Sequence, residues 1–279
     1  MIRKHAGDEF WLIAQHDHAL LAAELAQQIG GRGYAAPSPS AVKGIALHDC
    51  GWPVHDEDAP TLNRHGLPLD VFETPPQIGL RVWSEGARRA ALEADAYAAL
   101  LVSLHTLSLS VYATTPSPVP HEHFDTSDAS VRFEVNKFQQ QQIELQEELR
   151  KRLGMRVDEP RRFGLAEQSR DPRERQLIYD FRLLQAADKL SLSICCTRPP
   201  FEVLEPLPVE PGGANRPIQV RLAGTFELAL SPWPFREDRV AVSVPYRRVP
   251  ERTYASEEAF RQTHRAAPLE RMHFALRPA

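Results

Sequence analysis

Two adjacent prolines, Pro199 and Pro200, separate two parts of the chain that have different periodicities. Proline fixes φ and lacks a backbone N–H, so neither a helix nor a central strand runs through the pair. Before it, apolar residues recur at helical spacing over long stretches. After it, Ile218–Leu222, Thr225–Leu230, Arg239–Val244 and Arg271–Leu276 alternate or are rich in β-formers, with one short helix from Ser256 to about Arg265. The expected fold class is mainly α: a helical bundle over residues 1–200, followed by a small antiparallel, β-rich subdomain over 201–279.

Within the first part, residues 8–29 read as a helix capped by Asp8 and stopped by Gly30 and Gly31. Ser40 caps a short helix over 42–48 that Gly51 and Pro53 end. Residues 53–80, rich in Pro, Asp, His and Gly, read as a long loop of the kind that forms lids or binding loops. A strongly apolar helix is expected from Ser84 to about Tyr112. A more polar one follows over 128–153, with Gln139, Gln140, Gln141 and Gln142 as a solvated face. Asp171-Pro172 opens the last helix, Asp as N-cap and Pro at its first position, and this helix runs to about Cys196.

Several chemistry-bearing residues fall on apolar faces of these helices. His18 shares a face with Trp11, Ala14, Leu21, Ala22 and Leu25, and Asp188 with Phe181, Leu184, Leu192 and Cys195. A carboxylate on such a face is costly to bury without a cation or a hydrogen-bond partner. His16 lies about 200° around the helix from His18 and points elsewhere. His48 and Asp49 are consecutive at a helix end, where both can reach one ion. Two imidazoles and two carboxylates make a mixed nitrogen and oxygen donor set, suited to Fe, Mn, Zn or Ni rather than Ca.

Composition narrows the function classes. The 279 residues carry a formal net charge of −4, which gives no support for nucleic-acid binding by overall charge. No apolar run approaches the roughly 20 residues that span a bilayer. Met1-Ile-Arg-Lys-His leads into no uninterrupted apolar stretch or cleavage site, so a signal peptide is not expected. Cys50, Cys195 and Cys196, an odd number with an adjacent pair, suit reduced thiols in a cytoplasmic protein better than a disulfide framework.

The order His18, His48-Asp49 followed by Gly51, then Asp188 in Ala186-Ala187-Asp188-Lys189-Leu190 resembles the H…HD…D signature of the HD-domain superfamily, whose members are helical and mostly metal-dependent phosphohydrolases. More narrowly, Gln15-His16-Asp17-His18-Ala19, His48-Asp49-Cys50-Gly51-Trp52, Leu101-Val102-Ser103-Leu104-His105 and Asp188-Lys189-Leu190-Ser191-Leu192 resemble a bacterial family, domain of unknown function 3891, which supplies no reaction. The resemblance implies an HD-like bundle holding one or two divalent transition-metal ions through His18, His48, Asp49 and Asp188. His105 is implied as a ligand of a second ion, a phosphate contact or a proton-transfer group. His55, His65, His121 and His123 are further ligand candidates.

The expected activity is hydrolysis of a nucleotide or other small phosphate ester by metal-activated water. Asp49 orients or deprotonates that water, and Arg64, Arg88 or Lys189 neutralises charge at the mouth. Two alternatives stand beside it: a di-iron oxygenase on the same scaffold, which needs two irons, and a non-catalytic sensor whose β-rich tail pairs with a partner or with a second copy of the chain.

Overall fold

The first difference from the expected helical bundle lies at the start of the chain. In the computed structural model, which describes residues 1–117, 119–158 and 161–279, strands β1 (Ile2–Ala6) and β2 (Glu9–Ile13) form an antiparallel hairpin. Gly7, at φ +74°, supplies the left-handed turn position between them. Asp8 therefore lies in a hairpin turn and caps no helix. The run Phe10-Trp11-Leu12-Ile13 suits a strand covered on both faces as well as it suits a helix. Trp11 stacks on Tyr246 on one face. Phe10 and Leu12 pack with Val249 and Phe260 on the other. Continuous apolarity without alternation hides a doubly covered strand from a periodicity argument.

Helix α1 (Gln15–Gln28) follows, then α2 (Pro39–Leu47), α3 (Pro76–Glu93), α4 (Ala96–Ala113), α5 (Ala129–Arg152) and α6 (Pro172–Cys195). The remaining elements are β3 (Val203–Leu204), β4 (Ile218–Gly224), β5 (Glu227–Ser231), β6 (Val240–Pro250), α7 (Glu257–Ala266) and β7 (Leu269–Pro278). All seven strands belong to one sheet of order β1-β2-β6-β7-β5-β4-β3. The β5–β7 pair is parallel and the others are antiparallel. Helix accounts for 46% of the described residues and strand for 19%. The fold class is therefore α/β, with a curled mixed sheet, and the mainly α bundle with a small β appendage is overturned. The strands on either side of residue 200 join because β2 pairs with β6, Phe10 opposite Val249. One hydrophobic core runs from Ile2 and Ile13 through Leu25, Leu101 and Leu184 to Val244 and Leu276.

The stretch expected as one helix from Ser84 to Tyr112 is two. The Asp95 carboxylate accepts from the Tyr97 and Ala98 amides and starts α4 afresh. Apolar periodicity continues across the break, so only the cap marks it. Helix α2 is capped by Ser38, whose hydroxyl oxygen accepts from the Ala41 amide, two residues earlier than expected. Residues 53–80 contain a π-helical turn at Val54–Asp58, a 3-10 turn at Val71–Glu73 and the start of α3.

The glutamines of α5 divide. Gln140 and Gln141 are exposed, whereas Gln142 and Gln146 are buried against α4. Ser103 Oγ donates to Gln142 Oε1, and Gln146 Nε2 donates to Ser103 Oγ. Gln139 Nε2 donates to Ser110 Oγ. The spacing 139, 142, 146 is one helix face, so the tract forms a buried polar seam on that side rather than a wholly solvated face. Helix α4 is apolar and long enough to cross a membrane, but 67% of it is buried in the protein interior, where it packs on α2, α3, α5 and α6.

On the other face of the sheet, burial, with Arg247 nearby, pushes the His264 imidazole down to about 4. In the unfolded chain a histidine titrates near 6.5. The unfolded state therefore takes up this proton first as pH falls. The contribution is intact above about pH 6.5 and is lost between there and about pH 4. His264→Phe should shrink the fall in melting temperature between pH 7 and pH 5. Calorimetry at both pH values checks it, and an unchanged fall would refute the assignment.

Candidate metal centre

Four elements bring the expected residues together. His18 is in the second turn of α1, His48 closes α2, Asp49 begins the turn after it, and Asp188 lies on α6. Gly51 in that turn lies against α3: a Cβ there would stand 2.0 Å from the Val82 carbonyl oxygen and 2.6 Å from the Gly86 nitrogen. Only a residue without a side chain lets the turn lie this close to α3, and this contact sets where His48 and Asp49 sit.

The orientation of each ring is fixed from behind. His48 Nδ1 is 2.7 Å from the Ile45 carbonyl oxygen, which can only accept, so Nδ1 carries the proton. His18 Nδ1 is 2.7 Å from Ser191 Oγ, whose own proton goes to the Asp188 carbonyl, so His18 Nδ1 donates as well. With its Nδ1 engaged from behind, each ring turns Nε2 inward. Asp49 Oδ2 lies 2.9 Å from His18 Nε2 and 3.6 Å from His48 Nε2. Asp188 Oδ1 lies 3.8 Å and 3.6 Å from the same two nitrogens. His48 Nε2 is buried and has no hydrogen-bond partner.

Four electron-rich atoms converging in a buried space repel one another unless a cation lies among them. Burial alone would push the His48 imidazole down, yet Asp49 and Asp188 outweigh it and raise it to about 9. Burial would raise both carboxyls, yet the histidines outweigh it and lower Asp49 and Asp188. The pocket is built for positive charge. A metal ion fits on geometric grounds. Donors about 2.1 Å from a common ion stand roughly 3.0 Å apart at right angles and roughly 3.4 Å apart at the tetrahedral angle, and the cross-distances quoted above span these values. Histidines whose Nδ1–H groups are held by a carbonyl and a hydroxyl are also oriented as metal ligands usually are.

His105, on α4, is buried beside them. Its ring meets His48 edge to face at 4.8 Å, and His48, His105 and Asp188 form a second cluster of potential ligands. Burial, then the neighbouring His48, lowers its imidazole to about 4, so it is neutral at pH 7. Its Nδ1 has no hydrogen-bond partner.

The other candidates lie apart from both clusters. His55 turns towards Trp52 and Thr61. His65 is exposed beside Arg64, and His123 is exposed. Cys50 packs with Sγ donating to the Gly86 carbonyl, and burial pushes its thiol up to about 11, so it stays protonated. None of the three expected cations reaches the cavity beside the centre. Arg88 pairs with Glu85, Arg64 with His65, and Lys189 donates to the Glu205 carbonyl.

That cavity, of about 110 Å³, opens onto His18, Asp49, His105 and Asp188. Aromatic side chains of Trp52, Phe72, Trp83 and Phe124 wall it, and Gln15, His121 and Glu122 are its other polar lining residues besides Thr74 and Tyr112. Sequence reasoning missed Gln15, although it stands three residues before His18 and so on the same face of the expected helix. Phe72 and Phe124 come from irregular segments with no periodicity to mark them.

No curated protein and no solved structure matches the chain. A family model described as protein of unknown function (DUF3891) matches residues 1–251, and the chain belongs to that family.

Proposed function

We propose that the protein is a metal-dependent phosphohydrolase of the HD type. The observation that carries this reading is the convergence of His18 Nε2, His48 Nε2, Asp49 Oδ2 and Asp188 Oδ1 with both Nδ1–H groups already engaged. The H…HD…D order supports the same reading. A divalent ion held there would lower the pKa of its water and polarise a phosphoryl oxygen. The chain's own residues do the rest. Ser191 and the Ile45 carbonyl hold the rings in their tautomers. Asp49 orients the attacking water and takes its proton. Neutral His105, with one ring nitrogen free, offers a hydrogen bond at the cavity wall.

Charge limits the ester. Asp49 and Asp188 already balance one divalent ion, and no Lys or Arg lines the cavity among the described residues. A polyphosphate would therefore be poorly compensated, and a monoester is the favoured class; a second ion at the His48, His105 and Asp188 cluster would supply the remaining charge. Protein stripped of metal and reloaded with Mn, Fe or Zn should release phosphate from monoesters. His48→Ala should lower turnover by at least about 10³-fold, in the range for loss of groups that act as a unit, while His16→Ala should retain it. No turnover across a broad ester panel with metal fully loaded would remove this reading.

The aromatic wall favours one second reading, a di-iron oxygenase acting on an apolar substrate. Two irons per chain with oxygen consumption would establish it, and one ion per chain would exclude it.

A further inference from the structure

Two polar side chains that line the cavity outside the four convergent atoms, Gln15 and His121, each have a buried nitrogen without a hydrogen-bond partner. Gln15 is buried, yet its Nε2 has no hydrogen-bond partner; its backbone N–H is already committed to Asp56 Oδ2. His121 stacks on Tyr112, with ring centroids 4.3 Å apart. Its Nδ1 is 3.1 Å from the Val119 carbonyl oxygen and so donates to it. That leaves His121 Nε2 as an acceptor, and it too is buried without a partner. A buried donor and a buried acceptor left open each cost free energy, and a ligand that supplies the opposite groups recovers it. Flat aromatic surfaces line the same cavity: Trp83 stacked on Phe124, with ring centroids 5.8 Å apart, together with Trp52 and Phe72. Among the described residues, the carboxylate lining side chains are Asp49, Asp188 and Glu122, and no Lys or Arg lines the cavity.

We infer that the cavity recognises an uncharged planar ring carrying an adjacent hydrogen-bond acceptor and donor, as in a lactam or ring carboxamide, with Gln15 donating to the acceptor and His121 accepting from the donor. Aromatic walls bind a planar ring through its faces, and with Asp49 and Asp188 balanced by an ion, Glu122 is the lining carboxylate left to disfavour an anionic ring. The inference rests on the metal-centred reading only for which end of the substrate reacts: the ring occupies the cavity and the scissile group faces Asp49 and Asp188. Gln15 and His121 are then specificity residues, and the reaction is set by the other end of the cavity.

The probe is 2-pyridone, a neutral ring lactam, titrated into the zinc-loaded full chain by calorimetry or ligand-observed NMR. N-Methyl-2-pyridone, which keeps the acceptor and loses the donor, is the comparison. The lactam should bind at least about 10-fold more tightly than its N-methyl form, since a site built to accept a hydrogen bond rejects an analogue that cannot give one. In His121→Phe, which keeps the stack on Tyr112, the preference should vanish. In Gln15→Met both ligands should weaken about equally. Because binding is read without turnover, a lactam preference in a protein that hydrolyses nothing would keep this inference and sink the phosphohydrolase. Esterolysis without any lactam preference would do the reverse. Equal affinity for the two probes in the wild type, a preference that survives in His121→Phe, or no binding of 2-pyridone overturns the inference.

Discussion

Asp188→Asn should abolish the thermal stabilisation that a divalent ion gives the metal-stripped protein. An ion at a hundred times its dissociation constant stabilises the state that binds it by about 2.7 kcal/mol. For a domain of this size, each kcal/mol moves the melting temperature by roughly 2–4 °C. The wild type should therefore gain about 5–10 °C on metal loading, and the variant close to none. Asparagine preserves the volume on α6 but loses the attraction between the Asp188 carboxylate and His48, so the metal-free variant should melt somewhat below the metal-free wild type, and the comparison is the gain on metal loading within each protein. Scanning fluorimetry with and without added ion, paired with elemental analysis, reads both effects. An equal gain in Asp188→Asn would take Asp188 out of the centre.

Gly51→Ala should be among the most damaging single-methyl additions to the protein. Its Cβ would stand 2.0 Å from the Val82 carbonyl oxygen and 2.6 Å from the Gly86 nitrogen, both backbone atoms that cannot swing aside. The turn and α3 must separate, at about 3 kcal/mol, the upper end of typical overpacking costs. That corresponds to a fall of roughly 6–12 °C in melting temperature. Separation also moves His48 and Asp49, so metal affinity should fall with stability. Gly86→Ala, whose nearest contact is the Gly51 nitrogen at 3.2 Å, should be milder in both respects. Equal effects of the two alanines would show that the contact does not position the centre.

The candidate centre was legible because its residues obey rules that act within one helix. His18 and Asp188 were identifiable as inward-facing from their apolar neighbours, and His48-Asp49 from the Gly51 stop. The ring tautomers were not legible, because Ser191 and the Ile45 carbonyl act through geometry that spacing does not encode. The cap at Asp171 marks α6 in the sequence. The sheet was half legible: β4, β5, β6 and β7 alternate or are rich in β-formers. β2 does not alternate, because it is covered on both faces, and that concealed the pairing that makes the fold α/β. The cavity walls were illegible for another reason. Trp52, Phe72, Trp83 and Phe124 come from separate segments, and only tertiary packing makes them neighbours.

The pairing of β2 with β6 also bears on how the chain reaches its folded state. Phe10 meets Val249, so the hairpin that leads into α1 finds its partner strand only after some 240 further residues have been synthesised. Contacts this distant in sequence must overcome a large loop-closure entropy before they contribute, which slows folding. Until β6 arrives, one edge of β2 is unpaired, and such edges are where nascent chains associate wrongly. The hairpin that leads into the His18 helix is therefore anchored late, when β6 pairs with β2.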